Sequence, residues 1–364
     1  VEIFCHGGRV VTQAVVAACR EAGAEPAPAG EFTRRAFLNG RLSLDQAEAV
    51  ADLIHAPSEH AARAAVHQLL GGLDLQLGTV EKPLLELLAG LEGSLEFTSE
   101  EEVDIPRGEV LRVLAAAVAA LDRLVAMAPA GRLLRDGIQV VLTGPPNVGK
   151  SSLFNALLES ERAIVDSEPG TTRDVVSGRL TRGGSVFVLH DTAGVRPDAG
   201  RVERIGIDRA RRQAAEADIV LLLAEAGGAE AGWVADGAQP VIRVRTKRDL
   251  CPACAVPPGH VAVSTASGEG LGELWRAIET AVSGFRLEEA VALGVVLNER
   301  HLHRLSVCRT DLDSLCREVE ISDPGDEIIG TLLASILAGL GEVSGRVFSE
   351  QVLDHVFARF CVGK

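Results

Sequence analysis

The spacing of apolar residues changes twice along this chain, and each change marks a different kind of structure. Between residues 42 and 136 the spacing is helical. Ser43 stands as an N-cap with Gln46 in the capping-box position, and Leu44, Ala47, Val50, Ala51 and Ile54 then share one face. The same period runs through 61–70, 84–95 and 109–127, with Pro83 and Pro106 expected as breaks. From 137 to 283 the period shortens. Runs rich in β-formers at 140–142, 186–189, 219–223, 241–244 and 261–263 alternate with helical stretches, which predicts a parallel sheet with crossover helices. Helical spacing returns at 302–319, 327–338 and 349–360. An α/β domain therefore interrupts a helical one, whose two parts, 42–136 and 284–364, are expected to fold back together. Residues 1–41 offer a short apolar run, a helix at 10–22 and a Pro/Gly-rich turn, too little to bury a core alone.

Composition narrows the class. Hydrophobic residues make up 47% and charged residues 24% of the 364, a balance that supports packed domains and argues against general disorder. Lys and Arg number 36 against 51 Asp and Glu, for a formal net charge of −15. That excess disfavours binding nucleic acid by diffuse phosphate attraction, though not through a local basic pocket or a partner. The acidic stretch Glu100-Glu101-Glu102 is expected to be a solvated loop. Apolar runs such as 219–224 fall well short of the ~20 residues of a membrane-spanning helix. The seven Cys, scattered and without a secretory leader, read as reduced thiols in a cytoplasmic protein. The opening Val1-Glu2-Ile3-Phe4 lacks both Met and a cap, so the chain is expected to start partway through a strand.

The chemistry concentrates in the α/β region. Gly144-Pro145-Pro146-Asn147-Val148-Gly149-Lys150-Ser151 follows the strand at 140–142 and, with Ser152, opens a helix, which is the setting a phosphate-binding loop requires. Its backbone N–H groups and the helix N-terminus face phosphate oxygens, Lys150 reaches the β/γ oxygens, and the Ser151 hydroxyl suits Mg²⁺. Asp191-Thr192-Ala193-Gly194 follows the strand at 186–189. There a carboxylate can hold Mg²⁺ through water, and Gly194 can offer its amide to the γ-phosphate. Thr246-Lys247-Arg248-Asp249 ends the strand at 241–244. Asp249 can accept both N1–H and N2–H of guanine, which adenine cannot match, while Lys247 packs on the purine. Thr246 stands where Asn is usual and keeps a hydroxyl without the amide. Ser264-Thr265-Ala266, after the last strand, would back the base through main-chain contacts. All four motifs fall at strand ends, where α/β sheets bind ligands, and together they predict a GTP site.

Hydrolysis needs more than binding. Val195 occupies the position of the water-orienting Gln in many GTPases and forms no side-chain hydrogen bond. In Gly170-Thr171-Thr172-Arg173-Asp174, Thr172 can complete the Mg²⁺ shell. Asn147 either stabilises its own loop or, with carbonyls of Asp166, Ser167, Glu168, Pro169 and Gly170, encloses a monovalent cation that replaces an arginine finger. Glu203, at the start of a helical stretch, reads first as a capping charge.

These stretches resemble the MnmE (TrmE) family of tRNA-modification GTPases over nearly the whole chain. The similarity extends to 30–41, 45–49, 170–174, 202–207, 298–301 and the terminal Phe360-Cys361-Val362-Gly363-Lys364. The resemblance implies the remnant of an α+β folate-binding and dimerising domain at 1–41. It also implies a helical domain in two parts, 42–136 and 284–364, and a P-loop G domain inserted at 137–283. It implies GTP hydrolysis that depends on K⁺ and on G domains meeting across a homodimer. It further implies carbon-5 aminomethyl-type modification of wobble uridine in tRNA, carried out in a heterotetramer with an MnmG-type flavin protein.

By position, the resemblance assigns K⁺ to Asn147, Asp166, Glu168 and Thr171, and Mg²⁺ to Ser151 and Thr172. Glu203 and Cys361 become the catalytic residues, and Arg173 and Arg196 switch residues. Glu2, Arg41 and Lys364 become the site of a tetrahydrofolate derivative of the 5-formyl or 5,10-methylene type. Cys251-Pro252-Ala253-Cys254 has no second pair at zinc spacing and reads as incidental. Cys5, Cys19, Cys308 and Cys316 read as small buried hydrophobes. The competing reading is a nucleotide-gated assembly GTPase of the ribosome-biogenesis type.

Overall fold

Ser43 caps a helix as its sequence requires. In the computed structural model its Oγ accepts from the Gln46 amide at 3.4 Å, and the Gln46 side chain accepts from the Ser43 amide at 2.9 Å. The structure describes residues 2–96, 105–160, 163–164, 176–191, 214–228, 239–322, 324–357 and 360. Within them the chain forms α1 (Arg9–Glu21), α2 (Glu31–Leu38), α3 (Leu44–Ile54), α4 (Glu59–Leu69), α5 (Gly72–Glu96), α6 (Arg107–Val125) and α7 (Ala128–Asp136). The α/β part follows with β1 (Ile138–Thr143), α8 (Lys150–Glu159), β2 (Ala163–Ile164), β3 (Val176–Arg182), β4 (Ser185–Asp191), β5 (Ile219–Glu225), β6 (Val241–Thr246) and β7 (His260–Ala262). Then come α9 (Leu271–Ser283), α10 (Leu287–Leu293), α11 (Glu299–Ile321), α12 (Asp326–Ser344) and α13 (Glu350–Phe357).

Helices from before and after the sheet share one core. α11 packs on α6, and α12 packs on α5. Leu77, Leu84, Leu114 and Leu121 meet Leu305, Leu312, Leu333 and Leu340 with almost no exposed surface. α12 is apolar and long enough to cross a membrane by length and composition, yet Ile329, Leu333, Ile336 and Leu340 are spent on this core. Pro106 does mark the start of α6, as expected. Pro83 does not break the chain: it lies within the continuous α5. Pro83 and Thr79, whose carbonyl loses its helical partner, are both on the exposed face of the helix, where solvent is at hand for the acceptor.

The sheet has seven strands in the order β2-β3-β4-β1-β5-β6-β7. β4, β1, β5, β6 and β7 are mutually parallel. The five runs expected to form a parallel sheet are these strands, and the sheet is extended at one edge by β3, antiparallel to β4, and β2, antiparallel to β3. Gly183 and Gly184 supply the left-handed turn between β3 and β4, with φ of 56° and 78°. β3 escaped the apolar pattern because its inward positions include Gly178. A Cβ there would lie 2.6 Å from Leu158 Cδ1, so a larger residue would have to displace the Leu158 side chain where α8 packs.

The expected strand at the N-terminus is not formed among the described residues. Residues 2–6 are exposed coil, since a strand requires a neighbour to pair with. Two expectations about cysteines are also corrected. Cys5 is exposed, and Cys251 and Cys254 are joined in a disulfide.

Candidate nucleotide-binding site

β1 delivers the chain to the C-terminal edge of the sheet, and the loop after it must reverse sharply into α8. Gly144 leaves the strand with φ 150°, and a Cβ there would stand 2.5 Å from the Leu223 carbonyl oxygen of β5. Asn147 adopts a left-handed φ of 61°, which Asn tolerates better than most residues, and Gly149 has φ 96° as the N-cap of α8. The Asn147 side chain is exposed. Val148 is buried beneath the loop.

Lys150 begins α8, and its ammonium lies across the loop, donating to the carbonyls of Gly144 at 2.8 Å and Pro145 at 2.7 Å. Burial lowers its pKa, while the Asp191 carboxylate opposes the shift. Asp191 is buried at the last position of β4, in register with Leu142 of β1. Ser151 is exposed in the first turn of α8 and Ser152 beside it. Asp191, at a strand end, and Ser151, in the first turn of α8, offer oxygen donors of the kind Mg²⁺ prefers.

The guanine motif is tied into this loop. Thr246, at the end of β6, donates its hydroxyl to the Val148 carbonyl at 2.6 Å and lies 3.3 Å from the Ala224 carbonyl. The hydroxyl kept at this position is therefore used structurally, under almost complete burial. Lys247 turns left-handed with φ 57° and pairs with Glu225 at the end of β5. Ser264, fully buried, donates to Asp249 Oδ1 at 2.6 Å and leaves the exposed carboxylate oriented. Ser264 itself is held by the Ser267 amide at 3.2 Å. Arg248 points to the rear of its loop, where it bonds the carbonyls of Cys251 and Cys254. Thr265 and Ala266 are exposed beside Ser264.

Sequence reading missed the Thr246–Val148, Lys247–Glu225 and Ser264–Asp249 contacts. The first spans 98 positions and no periodicity signals it. Glu2 and Arg41 are both exposed, and no contact joins them among the described residues. Asp166, Ser167, Glu168, Pro169, Gly170, Thr171, Thr172, Arg173, Thr192, Ala193, Gly194, Val195, Arg196, Glu203, Cys361 and Lys364 lie outside the described residues. So does the acidic stretch at 100–102.

A glycine loop opening a helix, an Asp at the adjacent strand end and an Asp held beside the last strand define a phosphate-loop nucleotide-binding protein, here carried on a helical domain. The particular family follows from comparison. The MnmE helical domain model matches residues 44–361, and the model of the GTP-binding protein TrmE N-terminus matches residues 1–41. A tRNA modification GTPase MnmE from Symbiobacterium thermophilum is 39% identical over 378 residues, covering 100% of this chain and 82% of the relative. One from Synechococcus sp. strain JA-3-3Ab is 41% identical over 379 residues, covering 100% of this chain and 81% of the relative. The chain belongs to the MnmE family. The G domain of the T. maritima FeoB iron transporter aligns with 40% of this chain and 98% of its own length at 28% identity, with a TM-score of 0.30, too loose to refine the fold described above.

Proposed function

We infer that this chain hydrolyses GTP and uses the cycle to drive modification of wobble uridine in tRNA with an MnmG-type flavin partner. The observation that carries the reading is the Thr246 hydrogen bond from the guanine motif to the phosphate loop, with Asp249 three positions further on held by Ser264, on a chain of the MnmE family. Asp249 selects guanine and Lys150 meets the β/γ oxygens; Ser151 and Thr172 would hold Mg²⁺, which would neutralise charge on the phosphates. A K⁺ ion bound by Asn147, Asp166, Glu168 and Thr171 would supply the electrostatic stabilisation that Val195 cannot give. Glu203 would orient the attacking water.

The domain division at 41/42, 136/137 and 283/284 belongs to this reading. So do the G-domain homodimer, the heterotetramer, and the tetrahydrofolate derivative at Glu2, Arg41 and Lys364. Carbon-5 chemistry is assigned to the partner complex, with Cys361 as its candidate thiol.

Two measurements test the proposal. Nucleoside analysis of tRNA from cells lacking the gene should show loss of the carbon-5 aminomethyl-type wobble uridine; unchanged wobble uridines overturn the tRNA role. Replacing Na⁺ by K⁺ should raise GTP turnover at least about tenfold, and Glu203→Ala should abolish turnover while GTP still binds. Equal rates in the two salts rule out the cation mechanism.

A further inference from the structure

The loop directly behind the guanine motif contains a covalent bond that the nucleotide chemistry does not use. Cys251 and Cys254, three positions apart, form a disulfide. Arg248, flanked by Lys247 and Asp249, donates from Nη1 to the Cys251 carbonyl at 3.1 Å and to the Cys254 carbonyl. Both cysteine carbonyls thus converge on one guanidinium, and the Cys254 amide returns to the Cys251 carbonyl at 3.1 Å. On the opposite side the sulfurs close onto the turn after β5. A Cβ at Gly227 would lie 2.8 Å from Cys254 Sγ, and Gly227 has φ +76°. That turn is also joined to the motif strand. Glu225 pairs with Lys247, and the Gly228 carbonyl accepts from Arg245 at 2.7 Å. The disulfide therefore closes a turn within the loop that carries Asp249 and packs against the turn whose Glu225 holds Lys247. Its cysteines are half-buried and the intervening Pro252 and Ala253 exposed, so a small thiolate has access.

We propose that Cys251–Cys254 is a reversible thiol–disulfide site whose oxidised form holds the guanine-recognition loop in its binding geometry and whose reduction loosens it. The site rests on the reading of Asp249 as the guanine ligand. Its co-reactants are a low-molecular-weight disulfide in one direction and a dithiol or glutathione-type thiol in the other. In oxidation, the two thiols give two electrons and two protons to the external disulfide, one S–S bond forms, and two external thiols leave. Reduction reverses this through a mixed disulfide. A ring this short removes less entropy from the unfolded chain than a long loop would, so a large part of its effect falls on the local geometry of the loop. When the sulfurs part, the two carbonyls need no longer converge on Arg248, and the segment between Lys247 and Asp249 gains freedom.

The test uses the full chain, equilibrated with oxidised or reduced dithiothreitol, with free thiols counted by alkylation and mass measurement. A fluorescent GDP analogue is then titrated in each state. Affinity should fall roughly 3- to 10-fold on reduction, carried by faster dissociation. The Cys251→Ser/Cys254→Ser double variant should sit at the reduced value in both buffers, with a melting temperature within a few degrees of the parent's. Equal affinities in the two states overturn the proposal. So does a double variant that still responds to reductant, or a pair that remains fully alkylated after oxidation. Asp249→Ala on the same titration separates the two readings. If it still prefers guanine to adenine nucleotides, the guanine assignment fails whatever the thiols do.

Discussion

Thr246 illustrates how one side chain couples two halves of a ligand site. Its hydroxyl spans from the guanine strand to the Val148 carbonyl of the phosphate loop at 2.6 Å, so either half is positioned only when the other is. Thr246→Val keeps the shape but strands a buried carbonyl, and GTP affinity should drop about 5- to 30-fold in nucleotide titration. Elsewhere on the residue scale, two carboxylates three positions apart on α3 are shifted in opposite directions. Burial, and then the neighbouring Asp74, push Asp45 up to about 7. Its Oδ2 is buried with no hydrogen-bond partner among the described residues. An Asp raised in the folded state contributes stability that is present below its unfolded pKa and lost as pH rises through about 7. Asp45→Asn should therefore stabilise the fold at pH 8 by on the order of 2–4 kcal/mol, read as a higher melting temperature, and do little at pH 4.

Glu48 behaves oppositely. Burial would raise it, but His301 at 2.8 Å and Arg300 at 3.1 Å outweigh burial and hold it at about 2. Its contribution is present above the ordinary Glu pKa and fades as pH falls toward about 2. Glu48→Gln should cost about 2–4 kcal/mol at pH 7 in denaturant unfolding, because it leaves the half-buried Arg300 without its counter-charge, and almost nothing near pH 2.

At the scale of elements, two contacts decide how segments meet. The β3–β4 turn docks on the start of α4, where the His60 amide donates to the Gly184 carbonyl at 3.1 Å and His60 Nδ1 meets Ser185 Oγ at 3.2 Å. A Cβ at Gly184 would lie 2.8 Å from the His60 ring, so the second turn glycine answers both to φ and to the helix facing it. The end of α12 is fixed in the same manner. Gly345 turns left-handed at φ +79°, and a Cβ there would fall 2.2 Å from Leu44 Cβ at the start of α3. Gly345→Ala combines backbone strain with a backbone-anchored clash. It should destabilise the chain by at least about 2 kcal/mol, read as a lower denaturation midpoint at unchanged slope.

On the scale of the molecule, the core of the sheet does not stop at the expected boundary. Ala61 and Ala64 of α4, Leu133 and Leu134 of α7, and Leu287 and Val291 of α10 belong to the same buried cluster as Ile138, Leu142 and Leu221. Arg132 of α7 also pairs with Asp218, whose other oxygen accepts from the Gln139 amide at 2.8 Å. A piece cut at 137–283 would expose the surface those helices cover. Such a piece should melt lower than one spanning 128–297, and calorimetry of the full chain should show the α/β part and α4, α7 and α10 unfolding together. Independent transitions for the sheet and those helices would contradict the shared core.

The sequence by itself determined the elements and the chemistry available to them. Helix starts such as Ser43, the five parallel strands, the phosphate loop and Asp249 were legible because each is written in neighbouring residues: a cap, a period or a contiguous motif. Tertiary structure decided what depends on residues distant in sequence. Pro83 stays inside α5 because it and Thr79 face water, which no local rule reveals. β3 joins the sheet through a Gly-Gly turn and an approach by α8, although its own apolar content is too low to announce a strand. The Thr246 bridge, the seat of Asp249 on Ser264 and the disulfide clip against Gly227 likewise arise only once the strand ends converge. Local spacing fixes which backbone each segment prefers, whereas burial and long-range hydrogen bonding fix which side chains share a site and what each carboxylate's proton costs.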